Sequence, residues 1–104
     1  VTIAQNAPLF ADPAEMPHRA LTMGVGTILE ARKIIVLVTG TSKAEIAAKA
    51  IEGPITSMVS ASALQLHANC RVIVDEEAAE HLRGKDYYRW IFENEPEWAE
   101  FRTL

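Results

Sequence analysis

The segment best suited to binding a ligand is the run Val38-Thr39-Gly40-Thr41-Ser42-Lys43, which lies between a run of β-branched residues and a helix pattern. The first N–H groups of a helix and its dipole favour an anion, hydroxyl groups add donors, and a lysine adds a positive charge. A phosphate group fits such a site, formed here by Gly40, Thr41, Ser42 and Lys43. The Walker A pattern is absent. From spacing alone, an ordinary Ser/Thr helix cap beside a surface lysine explains the segment better than a phosphate site.

Other chemistry-bearing residues are scattered. The three histidines, His18, His67 and His81, have no metal-ligand spacing, and there is no second cysteine to assist them, so we predict no metal site. His67 is typical of a capping or packing histidine rather than a base. A single cysteine, Cys70, cannot form an internal disulfide, which indicates a reducing, cytoplasmic compartment, and its position favours a small buried side chain over a reactive thiol.

An acidic pair and an aromatic run are further candidate functional residues. Asp75-Glu76 follows a predicted strand and so lies at the functional edge of a sheet, but a lone acidic pair is usually a turn or cap. The aromatic run Tyr87-Tyr88-Arg89-Trp90 has the composition of a stacking platform, yet its acidic surroundings favour packing over nucleic-acid binding.

Two strands and two helices must position these residues. The continuous run Ile34 to Val38 predicts a parallel strand buried on both faces, and Arg71 to Val74 predicts a second one. Between them, Thr41-Ser42 supplies a cap for a helix from Lys43 to Glu52, and a weaker helix runs from Ser60 to His67. The order strand, helix, helix, strand predicts a Rossmann-like α/β sheet with flanking helices.

The flanking segments are less regular. We predict an extended lead-in over residues 1–17, a motif-bearing sheet and helices over residues 18–76, and a helical tail over residues 77–104. Within them, Arg19 to Met23 favours a short strand and Ile28 to Ala31 a short helix. The tail, Ala78 to Phe101, is expected to be interrupted near Gly84 and Pro96, and its aromatic residues need a partner surface.

Composition excludes several classes of protein. The chain has 104 residues, of which 49% are hydrophobic and 23% charged, the balance of one small globular unit. A net charge of -4 without clustered Lys and Arg argues against a nucleic-acid partner. The longest apolar run is far shorter than the roughly 20 residues that cross a bilayer, so we expect no membrane partner.

Four ordered motifs resemble glucosamine-6-phosphate deaminases. The segment from His18 to Ala31 resembles their A-L-T-x-G-x-G-T-[IL]-[LM]-x-A pattern. The other three are Ile35 to Gly40 with Lys43-Ala44, then Ile51-Glu52-Gly53-Pro54, then Ser62 to His67 followed by Val74-Asp75-Glu76. Together they extend from Pro17 to Glu76, and the tail matches less closely.

The resemblance implies an activity and a role for Lys43. Proteins of that family convert glucosamine 6-phosphate to fructose 6-phosphate and ammonia on a Rossmann-like fold without a redox cofactor, so none is expected here. It also implies that Lys43 binds the substrate phosphate. The family's catalytic carboxylates and histidine lie in motifs resembling M-D-E-Y and G-x-D-G-H-x-A-F-N-E-P, which this sequence lacks. No catalytic residue is therefore assigned to the chain, which is expected to be inactive alone.

One departure weakens the expected phosphate site. Family members carry a T-R-x-x-N-[AS]-R-F-F-like segment, and here Ile3 and Pro8 stand at the two arginine positions. Two hypotheses follow: a C-terminal segment of a sugar-phosphate deaminase or isomerase, or a non-catalytic sugar-phosphate-sensing or subunit-interaction module. Either needs partners, and we expect the missing N-terminal part or a second copy of the chain in a homo-oligomer, because two or three strands leave sheet edges open.

Overall fold

The computed structural model of the protein describes residues 7–9 and 11–103. Its regular elements are helix α1 (Val25–Leu29), strand β1 (Ile34–Val38), helix α2 (Ala44–Glu52), strand β2 (Cys70–Val74), helix α3 (Lys85–Asn94) and helix α4 (Ala99–Arg102). Short 3₁₀ helices cover Ala7–Leu9, Pro13–Glu15, Thr41–Lys43, Ser60–Leu66 and Pro96–Trp98. Within these residues no helix is long and apolar enough to cross a membrane.

The two strands form the parallel sheet that the sequence predicts. Ile34 of β1 lies opposite Cys70 of β2, and the register continues to Val38 opposite Val74. Parallel strands need a crossover connection, which α2 and the Ser60–Leu66 segment provide here. The prediction of an α/β sheet with flanking helices is confirmed, with β2 beginning one residue before the predicted start.

The two faces of β1 differ in burial. Ile34 is buried and lies on the same face as Val36 and Val38, the face on which α2 packs. On the other face Ile35 is 53% exposed and Leu37 is 72% exposed. The prediction that β1 is buried on both faces is therefore wrong for this chain, because too little of the described chain packs over the second face.

Three flanking predictions also need correction. Residues Arg19 to Met23 do not form a strand, since no described strand lies beside them to accept their hydrogen bonds. Helix α1 begins three residues before the predicted Ile28. The lead-in contains the 3₁₀ helices Ala7–Leu9 and Pro13–Glu15, so it is not extended throughout.

The predicted helix from Ser60 to His67 is a 3₁₀ helix, and the buried Ser62 attaches it to the preceding loop. The Ser62 Oγ lies 2.6 Å from the carbonyl oxygen of Val59 and 3.0 Å from that of Thr56, and it accepts the Thr56 N–H at 2.8 Å. Such local side-chain bonds compete with a regular α-helix and tie the segment to the preceding loop.

The tail is fastened to the sheet and to α2. The guanidinium of Arg71 lies 5.4 Å from the ring centre of Trp98 and 5.2 Å from that of Phe101, within cation–π range. At the other end, the Glu52 carboxylate, in the last turn of α2, accepts the N–H groups of Arg83 and Gly84 that precede α3. Helix α3 begins at Lys85, and the helical structure of the tail is interrupted at Glu95. Both positions are close to the breaks predicted near Gly84 and Pro96.

The chain exposes more surface than a complete small protein does. Its accessible surface is 8254 Å², whereas a folded monomer of 11.5 kDa averages about 5,800 Å². Most of its buried apolar residues are alanines, in α2 and in the segment after β2. The excess of about 2,450 Å² on one chain is as large as one partner's share of an obligate interface, which buries about 2,000–5,000 Å² in total.

Candidate functional site

The predicted anion-binding turn begins at a glycine with an unusual backbone conformation. Gly40 has φ 88° and ψ 152°, the one positive φ among the described residues. A Cβ built at Gly40 meets no atom within 4 Å, so conformation rather than space requires glycine here. This conformation redirects the chain from the end of β1 into the 3₁₀ helix Thr41–Lys43 and then into α2.

Two backbone donors of this turn face no acceptor in the described part of the chain. The N–H of Lys43 donates to the Gly40 carbonyl oxygen at 3.1 Å, and the N–H of Ala44 donates to that of Thr41. Among the hydrogen bonds of residues 7–9 and 11–103, none has the N–H of Thr41 or Ser42 as its donor. These two groups are therefore open to a ligand.

The side chains of the turn do not form the predicted cap. Neither Thr41 nor Ser42 makes a side-chain capping hydrogen bond to the helix that follows, so that expectation is wrong. Because the turn is 3₁₀ rather than extended, neither residue occupies the N-cap position. Both hydroxyls are exposed, as is Lys43, which takes part in no ion pair with another described residue.

The residue that sequence reasoning undervalued at this site is Asp75, at the end of β2. Its carboxylate accepts the Gly40 N–H through Oδ2 at 3.0 Å and Oδ1 at 3.2 Å, and Oδ1 accepts the Ala78 N–H at 2.7 Å. The backbone N–H of Asp75 donates to the Val38 carbonyl oxygen at 3.2 Å. Asp75 thus holds the turn that follows β2, as one expectation held, and it also joins the ends of both strands.

This contact changes the role of Gly40 in the predicted site. Its N–H is already engaged by a carboxylate, so it is not free to bind a phosphate. The donors left for a ligand are the N–H and hydroxyl groups of Thr41 and Ser42, with the ammonium of Lys43 as the positive charge. Gly40 supplies the conformation instead of a hydrogen bond.

Glu76, the second member of the acidic pair, forms ion pairs with residues of the tail. Its carboxylate pairs with Lys85 at 2.8 Å and with Arg89. The hydrogen bond from Lys85, followed by that from Arg89, holds the pKa of Glu76 below its usual value. These bonds fasten the start of α3 to the end of β2. Glu76 therefore stabilises the packing of the tail and does not contribute to the turn after β1.

The remaining sequence candidates do not converge on a site. His67 lies with Nε2 2.6 Å from the Ala31 carbonyl oxygen, while its Nδ1 accepts the N–H of Asn69 at 3.0 Å, so Nε2 is assigned the proton. Cys70 is half-buried, and burial raises the pKa of its thiol. In residues 7–9 and 11–103, no three His, Cys, Asp or Glu side chains lie close enough together to hold a metal ion. Ile3, one of the two positions without the expected arginine, lies outside the described residues.

Comparison with known proteins gives one consistent relationship. The chain is 51% identical over 90 residues to a glucosamine-6-phosphate deaminase of Hahella chejuensis, covering 86% of this chain and 34% of the relative. It is 45% identical over 98 residues to the deaminase of Streptomyces coelicolor, covering 93% and 38% respectively. No protein-family model matches the chain.

A solved structure agrees with these relatives. It is described as a monomeric glucosamine-6-phosphate deaminase and a missing link of the NagB superfamily, and it superposes with a TM-score of 0.72 at 44% identity. The match covers 76% of this chain and 33% of that structure. Over most of its length, therefore, this chain belongs to the glucosamine-6-phosphate deaminase family, and it spans about a third of the relatives it matches.

Proposed function

We propose that the chain is the C-terminal segment of a glucosamine-6-phosphate deaminase-type protein and contributes the anchor for the substrate phosphate. The observation that carries this proposal is the turn after β1, where the N–H groups of Thr41 and Ser42 have no acceptor within the described residues. Lys43 follows them at the start of a nine-residue helix, whose dipole favours an anion at this end. Membership in the family indicates which anion would bind there, namely the phosphate group of a sugar phosphate.

The chemistry assigned to this chain is binding and orientation. A phosphate held by two N–H groups, two hydroxyls and an ammonium fixes one end of an open-chain sugar, so its reacting carbons face the rest of the protein. Isomerisation and loss of ammonia require proton transfer between sugar carbons. The sequence carries neither of the acid–base motifs that the resemblance associates with that step. We assign those groups to the remaining two-thirds of the protein.

The incomplete surface supports this division. The β1 side chains Ile35 and Leu37 are exposed on one face of the sheet, and in the described residues β1 has a strand neighbour on one side only. We propose that the remainder of a cytoplasmic protein pairs with β1 and covers this face. Residues 18–76 then form the phosphate-binding part of the sheet, and residues 77–104 the helical tail that packs behind it. A homo-oligomer would bring a second copy to the same exposed surface.

A chimera tests the proposal. This chain replaces the corresponding third of the Hahella chejuensis deaminase, and ammonia release from glucosamine 6-phosphate is measured. Lys43→Ala is expected to raise KM by about tenfold or more, because a charge-assisted contact to phosphate is lost. Lys49→Ala is the matched control, since Lys49 lies on the same helix and pairs with Glu45. Equal KM values for the two variants would contradict the anchoring role.

The isolated chain provides a second test. It is expected to release no ammonia above background and to bind phosphate only weakly, because the acid–base groups and the expected arginines are absent. Turnover by the isolated chain that Lys43→Ala abolishes would refute this division of labour.

A non-catalytic sugar-phosphate-sensing or subunit-interaction module is the second candidate. It is favoured by the exposure of Leu37 and by Pro8 at a position where an arginine is expected. The chimera separates the two candidates. A folded chimera that binds the sugar phosphate without turning it over favours the module.

A further inference from the structure

The carboxylate of Asp75 determines how the turn after β1 is built. Asp75 and Gly40 are 35 positions apart in sequence, yet both carboxylate oxygens lie within 3.2 Å of the Gly40 nitrogen. The Ala78 N–H binds the same carboxylate, and the Asp75 N–H binds the end of β1. One side chain thereby fixes the ends of both strands and the first residue of the turn.

Gly40 needs such support because a glycine can adopt many other conformations besides φ 88° and ψ 152°. A contact must select this one, and hydrogen bonds to a charged acceptor are stronger than neutral ones. The orientation of Gly40 sets the direction of the next two peptide groups. Those groups carry the N–H donors of Thr41 and Ser42, which have no acceptor among residues 7–9 and 11–103.

We infer that Asp75 is a positioning residue for the phosphate anchor, holding Gly40 so that the Thr41 and Ser42 N–H groups face a ligand. Asp75 does not itself touch the phosphate. The inference rests on the proposed anchoring role of the turn, and it adds a residue outside the turn on which that role depends.

The same carboxylate has an opposing electrostatic effect. Its negative charge near the turn repels a phosphate, while its hydrogen bonds order the donors that bind one. The two effects separate in Asp75→Asn, which removes the charge but keeps one oxygen. Oδ1 accepts both the Gly40 and the Ala78 N–H groups, so an asparagine oxygen in that position keeps both bonds, while the bond from the Gly40 N–H to Oδ2 is lost.

The experiment compares Asp75→Asn and Asp75→Ala with the control Glu77→Gln. Glu77 is an exposed neighbour whose side chain takes part in no hydrogen bond or ion pair among the described residues. Inorganic phosphate is titrated into the full chain, and binding is followed through the amide NMR signals of Thr41 and Ser42. Exchange of the Gly40 amide without phosphate, and far-UV circular dichroism, report the turn and the fold.

Asp75→Asn is expected to bind phosphate at least as tightly as Glu77→Gln does. Asp75→Ala is expected to bind about tenfold or more weakly than Asp75→Asn, with faster exchange at Gly40 and shifted Thr41 and Ser42 amides. A purely structural role predicts a less stable Asp75→Ala whose folded fraction binds phosphate normally. That result would overturn the inference.

Two further outcomes are decisive. If Asp75→Ala does not fold, Asp75→Asn is compared with Glu77→Gln alone, and weaker phosphate binding or lost Gly40 protection in Asp75→Asn overturns the inference. If the unmodified chain binds no phosphate while Gly40 exchange still depends on Asp75, the proposed anchoring function fails and the control of the turn by Asp75 is supported.

Discussion

Replacing Glu52 with alanine should weaken the attachment of the tail to α2. The Glu52 carboxylate accepts the N–H of Arg83 at 2.7 Å, the N–H of Gly84 at 2.8 Å and the hydroxyl of Tyr88 at 2.8 Å. The first two donors precede α3, so a side chain from α2 holds the residues immediately before a helix that begins more than 30 positions later. No side chain caps α3 itself.

The cost follows from these contacts. A hydrogen bond to a charged group contributes about 1.5–3 kcal/mol. The exposed position of Glu52 lets water replace part of what is lost, and the Tyr88 bond adds to the total. We expect Glu52→Ala to lower the free energy of unfolding by about 1–2 kcal/mol, which corresponds to roughly 4–16 °C in Tm for a chain of this size. Tyr88→Phe, which removes one of the three bonds, should cost less.

The effect should depend on pH in a defined direction. The N–H of Arg83, before the other contacts, holds the pKa of Glu52 below its usual value, so the folded chain favours the ionised form. The stabilisation is therefore present above the unfolded pKa of about 4.3, and it is lost as pH falls through the lower folded pKa. The difference in stability between the unmodified chain and Glu52→Ala should be constant near neutral pH and shrink below about pH 4.

Thermal unfolding followed by circular dichroism at pH 7 and at acidic pH measures both quantities. Glu45→Ala is the control, because Glu45 is on the same helix and its contact is the exposed i,i+4 pair with Lys49. The control should change Tm less than Glu52→Ala does. Equal Tm values for the two variants, or a difference that does not shrink in acid, would refute the role of Glu52 in attaching the tail.

Three further predictions concern the core, the thiol and the sheet surface. Ser62→Ala should cost about 1–3 kcal/mol in chemical unfolding because it leaves the Thr56 N–H without its acceptor, whereas the exposed Ser60→Ala should cost little. Cys70, whose thiol pKa is raised by burial, should react with iodoacetamide more slowly in the folded chain than in the unfolded chain at pH 8, and equal rates would contradict this. The isolated chain should self-associate in sedimentation experiments, and Leu37→Lys should reduce association, while a monodisperse unmodified monomer would show that the sheet needs no partner.

The elements that sequence reasoning located correctly are those with local causes. A continuous β-branched run ending in glycine predicts β1, and helix-period apolar positions ending at Gly53 predict α2. Neither signal depends on residues outside the element. The predicted strand over Arg19 to Met23 failed because a strand also requires a neighbouring strand, which the local pattern does not report.

Burial was harder to predict for a related reason. The composition of β1 is that of a strand covered on both faces, and that composition led to the expectation of full burial. Exposure of Leu37 shows that the sequence of a strand is adapted to a covering layer even when this chain does not supply it. Such a mismatch between composition and burial is itself a sign of an incomplete fold.

For the site, residue types were predictable and contacts were not. The turn from Gly40 to Lys43 is recognisable from its position between a strand and a helix. The hydrogen bond between Gly40 and Asp75 joins residues distant in sequence, and no short window contains both. The usable signal was topological: in a parallel pair the carboxyl ends of both strands meet at one edge, so an aspartate after β2 lies beside the turn after β1.

The motif from Ser62 to His67 shows how a family pattern can arise from architecture instead of chemistry. Its polar side chains bind backbone groups of different segments. Ser62 holds the loop at Thr56, and Gln65 donates to the carbonyl oxygens of Ala50 and Gly53 at 2.8 and 2.9 Å. His67 meets the segment after α1. Because Gln65 fixes the end of α2 opposite the turn after β1, the motif secures the helix whose first residues we propose as the anion site, and no catalytic role for it is needed to explain the resemblance.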